Sequence, residues 1–199
     1  MKPASDVAFT PSVKSQQERR GSRSAYQRME EGNGWETTVT PELAAFLAER
    51  DSFYLATATA EGQPYIQHRG GSPGFLRPVD DKTLGFADFG GNRQYVSLGN
   101  LAENDRAFLF LMDYANRRRI KIWGRARVVE DDPALLASLV SPGAKPKGKP
   151  ERAILFTISA WDVNCPQHIP QKIDARDVAP LVARIQELEA ENAALRAKG

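Results

Sequence analysis

One segment constrains the fold more than any other, because apolar and polar side chains alternate along it without a break. The apolar or small residues are Ile120, Ile122, Gly124, Ala126 and Val128, and the residues between them are Arg119, Lys121, Trp123, Arg125 and Arg127. A period of two residues is typical of a β-strand, in which successive side chains point to opposite faces. The segment therefore predicts a sheet with one buried face and one solvated face.

Other segments predict further strands. Residues 53–59 alternate in the same way, a turn follows at 61–64, and 65–69 is the return strand of a hairpin. Further strands are expected at 83–88, 108–112 and 154–158. Several short strands joined mainly by tight turns favour a mainly β fold, an antiparallel barrel decorated with helices.

Helix signals lie between these strands. Thr40 is a typical N-cap with Pro41 at the first helical position, and we expect this helix to end near Arg50. A second short helix is predicted to begin near Asn92, and a third covers residues 133–139. A loop rich in Pro, Gly and Lys follows at 141–150.

Composition divides the chain into three parts. Residues 1–38 are mostly polar, cannot bury much surface, and predict a mobile or loosely docked arm. Residues 39–170 hold the predicted strands and form the barrel domain. Residues 177–199 predict a C-terminal helix beginning at Asp177 as N-cap.

The C-terminal helix has a heptad pattern. Positions a are Val178, Ile185 and Asn192, and positions d are Leu181, Leu188 and Leu195. This pattern is typical of a parallel two-stranded coiled coil between two copies of the chain. The alternative is an amphipathic helix that folds back on its own barrel, since fewer than three full heptads is marginal for an isolated coil.

Composition and motifs exclude several classes of function. The 199 residues carry 27 Lys and Arg against 25 Asp and Glu, so a net charge of +2 gives no strong field for nucleic acid or an acidic membrane. Lys145, Lys147 and Lys149 have no interleaved aromatic residues for base stacking. The sequence shows no signal peptide or membrane span, and its single cysteine, Cys165, fits a cytoplasmic protein. Metal-ligand spacing, a nucleophile elbow and a dinucleotide fingerprint are also missing.

Two glycine-containing segments are candidate anion sites. Arg69 lies beside Gly70 at the end of a predicted strand, where a bound group can approach the backbone. Asn92 and Arg93 follow a glycine pair at a predicted helix start, which suits a phosphate. Both patterns are also common in ordinary strand ends and turns. Residues 161–168 predict a polar loop, which includes His168 and is typical of the lining of a site.

In their order, these segments resemble the pyridoxamine 5'-phosphate oxidase-like flavoproteins. The motifs are FYLAT at 53–57, EGQP at 61–64, HRGG at 68–71, GGNR at 90–93, SLGNL at 97–101, RIKIWG at 119–124 and WDVNCPQH at 161–168. The resemblance implies a split β-barrel homodimer of the FMN-binding type, with FMN bound at the subunit interface. The second strand lacks the Leu-Leu-Lys ending of true pyridoxamine phosphate oxidases, and the last loop lacks their Arg-Leu-His-Asp-Arg run, which argues against pyridoxal phosphate synthesis.

The resemblance also implies site residues. The phosphate would be held by Arg69, Arg93 and Asn92, and Arg119 would reach the flavin from the partner subunit. The full set of implied FMN contacts is Gln67, His68, Arg69, Gly70, Asp88, Phe89, Asn92, Arg93, Arg119, Trp161, Asn164 and Gln167.

The function implied is an FMN-dependent oxidoreductase acting on a small molecule, with NAD(P)H as an expected electron donor. His68 and His168 are the candidates for proton transfer, because imidazole titrates near neutral pH. Each is equally well interpreted as a hydrogen-bonded structural histidine. The alternative function is a non-catalytic flavin-binding, haem-related or sensory module.

Overall fold

In the computed structural model, the described residues are 2–32, 34–140, 148–163 and 165–197. They fall into two compact units. The main unit comprises Met1–Met112 with Arg119–Asn164, and the C-terminal unit comprises Asp113–Arg118 with Cys165–Gly199.

The strands confirm the predicted fold class. They are β1 Ser52–Ala58, β2 Pro64–Gly70, β3 Arg77–Pro78, β4 Thr83–Phe89, β5 Arg106–Asp113, β6 Arg118–Val129 and β7 Pro150–Val163. They form one seven-stranded sheet in the order β2-β1-β5-β6-β7-β4-β3. Antiparallel registers join β1 to β2 and β5, β4 to β3 and β7, and β6 to β7. The fold is a split β-barrel with a C-terminal helix, as the sequence predicted.

The helices are α1 Pro11–Arg19, α2 Arg23–Glu31, α3 Pro41–Glu49, α4 Val96–Glu103, α5 Pro133–Leu139 and α6 Ala175–Arg196. The predicted cap of α3 is confirmed, since Thr40 Oγ1 accepts the Leu43 amide at 3.2 Å. Asp132 caps α5 in the same way, accepting the Leu135 amide at 2.8 Å. None of the described helices has both the length and the apolar composition that a membrane-spanning helix requires.

The core lies on the inward face of the sheet. Phe53, Phe86 and Phe156 are fully buried, and the rings of Phe53 and Phe86 meet edge to face at 5.2 Å between centroids. The alternation that predicted β6 is confirmed at Ile120 and Ile122, which are both buried. Burial of these side chains removes apolar surface from water and holds the strands together.

A β-bulge interrupts the pairing of β6 with β7. Trp123 is opposite Ala160 but Gly124 is opposite Ile158, so Ser159 is the extra residue on β7. A Cβ added to Gly124 would lie 2.2 Å from the Thr157 carbonyl oxygen and 2.5 Å from a ring carbon of Phe156. Glycine is therefore required at this position by close packing.

The N-terminal segment, for which the sequence predicted a mobile or loosely docked arm, contains regular structure. A 3₁₀ turn at Ala4–Val7 precedes α1 and α2. The Trp35 ring stacks on Trp123 of β6 at 4.7 Å and contacts Phe9 at 5.0 Å. Composition gave no sign of this, because the aromatic residues are scattered in the sequence and gather only when they meet the outer face of β6.

Two element boundaries differ from the predictions. β7 runs to Val163, so Trp161 belongs to a strand and the predicted polar loop at 161–168 begins later. α6 begins at Ala175, not after Asp177, which places Pro180 inside the helix. The residues 141–147 of the predicted loop lie outside the described part of the chain, and Lys145 and Lys147 with them.

Candidate functional site

A cleft of about 260 Å³ opens between the ends of β2, β4 and β7 and the segment that leads into α4. Its lining residues are Tyr65, Gln67, Arg69, Asp88, Phe89, Gly91, Asn92, Arg93, Gln94, Tyr95, Val96, Ser97, Leu98, Glu151 and Arg152. Six of the residues that the resemblance implied as FMN contacts thus line one cavity: Gln67, Arg69, Asp88, Phe89, Asn92 and Arg93. The charged side chains of the lining are three arginines and two carboxylates, which leave a net charge of +1.

A carboxylate bridges two of the arginines at the base of the cleft. Asp88 on β4 accepts a hydrogen bond from Arg69 Nη1 at one carboxylate oxygen. Its other oxygen lies 3.3 Å from Nη1 of Arg152, the residue directly opposite it on β7. Asp88 and Arg152 are both buried, and buried charges of this kind are retained in proteins only when they are paired. The pairing fixes both guanidinium groups in position.

The segment 92–95 is not part of the helix, so the prediction that the helix begins near Asn92 is wrong by about one turn, and Asn92 is not its N-cap. Arg93 has φ 61° and Tyr95 has φ 56°, both left-handed values that a helix does not contain. Asn92 Oδ1 accepts the Gln94 amide at 3.2 Å, which closes a local turn. The helix α4 begins at Val96, after Tyr95.

Tyr95 contacts two of the arginines. Arg93 Nε donates to the Tyr95 hydroxyl oxygen at 3.3 Å. The face of the same ring lies 5.7 Å from the guanidinium carbon of Arg152, within cation–π range. The hydrogen bond to Tyr95 raises the pKa of Arg93 above its ordinary value. Like other arginines in proteins, this exposed side chain is always a cation, and it lies at the mouth of the cleft.

Side-chain hydrogen bonds attach α4 to the β1–β2 hairpin. Ser97 Oγ donates to Gln67 Oε1 at 2.9 Å, and Asn100 Nδ2 donates to Thr57 Oγ1 at 2.9 Å in a buried position. Gln67 therefore positions α4 against β2 at the wall of the cleft.

His68 and Gly70 lie beside a smaller cavity of about 170 Å³, which Arg69, Asp88 and Phe89 also line. The imidazole of His68 is exposed and meets the Tyr54 ring edge to face at 5.6 Å. Arg69, which the resemblance assigns to the phosphate, lines both cavities, whereas His68 lines only the smaller one.

Among the described residues of this single chain, the remaining FMN contacts that the resemblance implied do not line the cleft. Arg119 lies on β6. Trp161 is buried in β7, where its Nε1–H donates to the Thr38 carbonyl at 2.8 Å. Gln167 and His168 are exposed residues of the C-terminal unit, and Asn164 lies outside the described residues.

Sequence reasoning missed several residues of the cleft, above all Arg152 and Tyr95. A signal for Arg152 exists, since it directly precedes the apolar run of residues 153–156 and a cation at the edge of a buried strand requires a partner. Tyr95 gave no such signal. It falls within the helix that was predicted to begin near Asn92, and its left-handed backbone conformation is not visible in the sequence.

Together, the split barrel and the cleft lined by three arginines define a barrel protein with a cationic cleft. A family model described as pyridoxamine 5'-phosphate oxidase matches residues 39–165. This match spans more than half of the chain, which therefore belongs to the pyridoxamine 5'-phosphate oxidase family.

Solved structures of HupZ from Group A Streptococcus agree with this fold. One has 17% sequence identity and a TM-score of 0.51, and the alignment covers 68% of this chain and 99% of that one. A HupZ variant in which one histidine is replaced by alanine matches with the same identity and TM-score over 63% of this chain and 99% of its own. An FMN-binding protein of Syntrophomonas wolfei subsp. wolfei has 13% identity and a TM-score of 0.48 over 74% of this chain and 97% of its own. A search of curated proteins gave no match.

Proposed function

We propose that this chain binds FMN in the cleft and uses it as an oxidoreductase acting on a small molecule. The observation that carries the proposal is the convergence of Arg69, Arg93 and Arg152 on one cavity in a chain of this family. Planar guanidinium groups bind phosphate oxygens in pairs, and several of them neutralise a dianion.

The residues of the cleft fit a phosphate group. Arg69 Nε is buried and has no hydrogen-bond partner among the described residues, so one donor of this side chain is unused in the isolated chain. Gly91 lines the cleft without a Cβ, and a Cβ built there would meet no atom within 4 Å, so the backbone is open to a ligand. Asp88 keeps Arg69 and Arg152 paired when no anion is bound.

When bound, the isoalloxazine ring of FMN supplies the hydride or electron transfer. The protein's own residues then have to hold the phosphate, orient the ring and move protons. Arg69, Arg93 and Asn92 serve the first task. His68 and His168 remain the candidates for proton transfer, and His68 lines the smaller cavity that shares Arg69, Asp88 and Phe89 with the cleft.

We also propose that the barrel acts as a homodimer in which Arg119 reaches the flavin of the other subunit. The Nε of Arg119 is buried and has no hydrogen-bond partner among the described residues, so this side chain has a donor available. In the same proposal, Trp161, Asn164 and Gln167 belong to the segments that border the ring.

The direct test is cofactor content. Protein purified without added flavin and then mixed with micromolar FMN is expected to hold one FMN per subunit, seen as a flavin absorption band and as FMN mass after denaturation. A protein that remains colourless after this treatment would refute FMN binding.

A second prediction concerns turnover. Bound flavin is expected to lose its absorption band on mixing with NADH or NADPH, or to reoxidise in oxygen after chemical reduction, if it cycles rather than being stored. Stopped-flow absorbance under anaerobic and aerobic conditions measures both steps. Flavin that no donor reduces and that does not reoxidise would favour the non-catalytic alternative.

A further inference from the structure

One face of α6 is apolar and exposed. The five apolar residues of its heptad positions are all exposed: Val178, Leu181, Ile185, Leu188 and Leu195. Together with Asn192 they recur at alternating steps of three and four residues along a helix of 22 residues. Such a stripe, on a helix whose other positions are mostly charged residues and alanines, is typical of a surface that another helix covers.

We propose that α6 pairs with α6 of a second copy of this chain in a parallel, in-register, two-stranded coiled coil. β-branched Val178 and Ile185 stand at a positions, and leucines occupy every d position. This combination favours two parallel strands over three or four. The occupant of the apolar face is thus the same face of another copy.

The charges beside the stripe agree with a parallel pair. In parallel register, Arg184 at g faces Glu189 at e of the second copy, and Glu191 at g faces Arg196 at e. Both pairs join opposite charges. Within one helix, Arg184 Nη1 lies 2.9 Å from Glu187 and 3.8 Å from Glu191, so its side chain already extends along the flank of the stripe.

Asn192 determines the orientation. In the parallel arrangement it meets Asn192 of the second copy, and the two amides can hydrogen-bond to each other. In an antiparallel arrangement that places Ile185 opposite Leu188 of the second copy, Asn192 would face Leu181. The polar amide would then have no hydrogen-bond partner among apolar side chains. A single asparagine at an a position is a known device that fixes register at some cost in stability.

Pro180 is compatible with this geometry. It lies inside α6 at position c, on the side away from the a and d stripe. The backbone donor that proline lacks is therefore lost on the solvent side of the pair. A helix of 22 residues is about 33 Å long, so the whole stripe from Val178 to Leu195 lies within it.

Disulfide trapping in the full-length protein tests both the pairing and its direction. In a Cys165→Ser background, Leu195→Cys places a thiol at the last d position, and Ala190→Cys is a matched control at the outward f position. We expect mild oxidation to link Leu195→Cys chains to each other at least about tenfold faster than Ala190→Cys chains, because d residues face each other across the pair whereas f residues point away from it. Equal rates for the two variants, or no linked species with Leu195→Cys, would overturn the proposal.

A mixing experiment tests whether the two helices run parallel or antiparallel. Val178→Cys and Leu195→Cys chains are mixed in denaturant and refolded together. We expect disulfides between identical positions, 178 with 178 and 195 with 195. Preferential links between position 178 and position 195 would show an antiparallel pair and overturn the parallel coil.

Asn192→Leu is expected to add species larger than dimers in sedimentation velocity, whereas an unchanged distribution would remove the role given to Asn192.

Discussion

Replacing Arg69 or Arg93 with alanine is expected to weaken FMN binding at least about tenfold in each case. A charge-assisted hydrogen bond contributes roughly 1.5–3 kcal/mol, and about 1.4 kcal/mol corresponds to a tenfold change in the dissociation constant. Both guanidinium groups line the cleft, and Arg93 is exposed at its mouth. Fluorescence quenching of added FMN measures the dissociation constant of each variant.

Riboflavin provides the control for the phosphate. It has the same ring system without the phosphate, so its affinity should change much less than that of FMN in both variants. Arg127→Ala removes an exposed arginine of β6 and should leave both affinities unchanged. Unchanged FMN affinity in both cleft variants would place the phosphate elsewhere, and an equal loss for riboflavin would show that the arginines act on the ring or on the fold.

The two arginines should differ in their effect on stability. Removing Arg69 leaves the buried Asp88 with Arg152 as its remaining arginine in the cleft, whereas Arg93 contacts Tyr95 at the exposed mouth. We therefore expect a lower melting temperature for Arg69→Ala than for Arg93→Ala, since breaking a buried ion pair is costly. Arg69→Lys keeps the charge and separates the loss of stability from the loss of the planar phosphate contact.

Gly124→Ala is expected to lower the free energy of unfolding by about 1–3 kcal/mol or more. The new methyl group would lie 2.2 Å from the Thr157 carbonyl oxygen and 2.5–2.7 Å from two ring carbons of Phe156. Phe156 is fully buried and the carbonyl belongs to the neighbouring strand, so neither can move without disturbing the core. Urea unfolding followed by circular dichroism measures the change.

Gly99→Ala is the matched control, because it adds the same methyl group where no atom lies within 4 Å. Gly99 is inside α4, where alanine is favoured over glycine by roughly 0.5–1 kcal/mol, so this variant should be slightly more stable than the wild type. If Gly124→Ala unfolds at the wild-type urea concentration, the close packing at the bulge is not what requires glycine there.

Much of the fold was predictable because its signals are local. The alternation along β6, the hairpin of β1 and β2, and the Thr40 cap of α3 each depend on residues within one turn or one strand. These features depend on local backbone geometry, which is determined by residues that are neighbours in the sequence. The same reasoning placed Arg69 and Arg93 among the candidate site residues, although their common cavity with Asp88 was implied only by resemblance.

The sequence by itself therefore determined the class of fold, most element types and the glycine-flanked arginines. The tertiary structure decided which residues meet. Asp88 and Arg152 are 64 residues apart and become partners only because β4 pairs with β7 in one particular register. The N-terminal helices and the Trp35–Trp123 stack likewise depend on a surface that exists only after the sheet has formed. Contacts between distant segments are set by strand register and packing, which no local pattern of residues encodes.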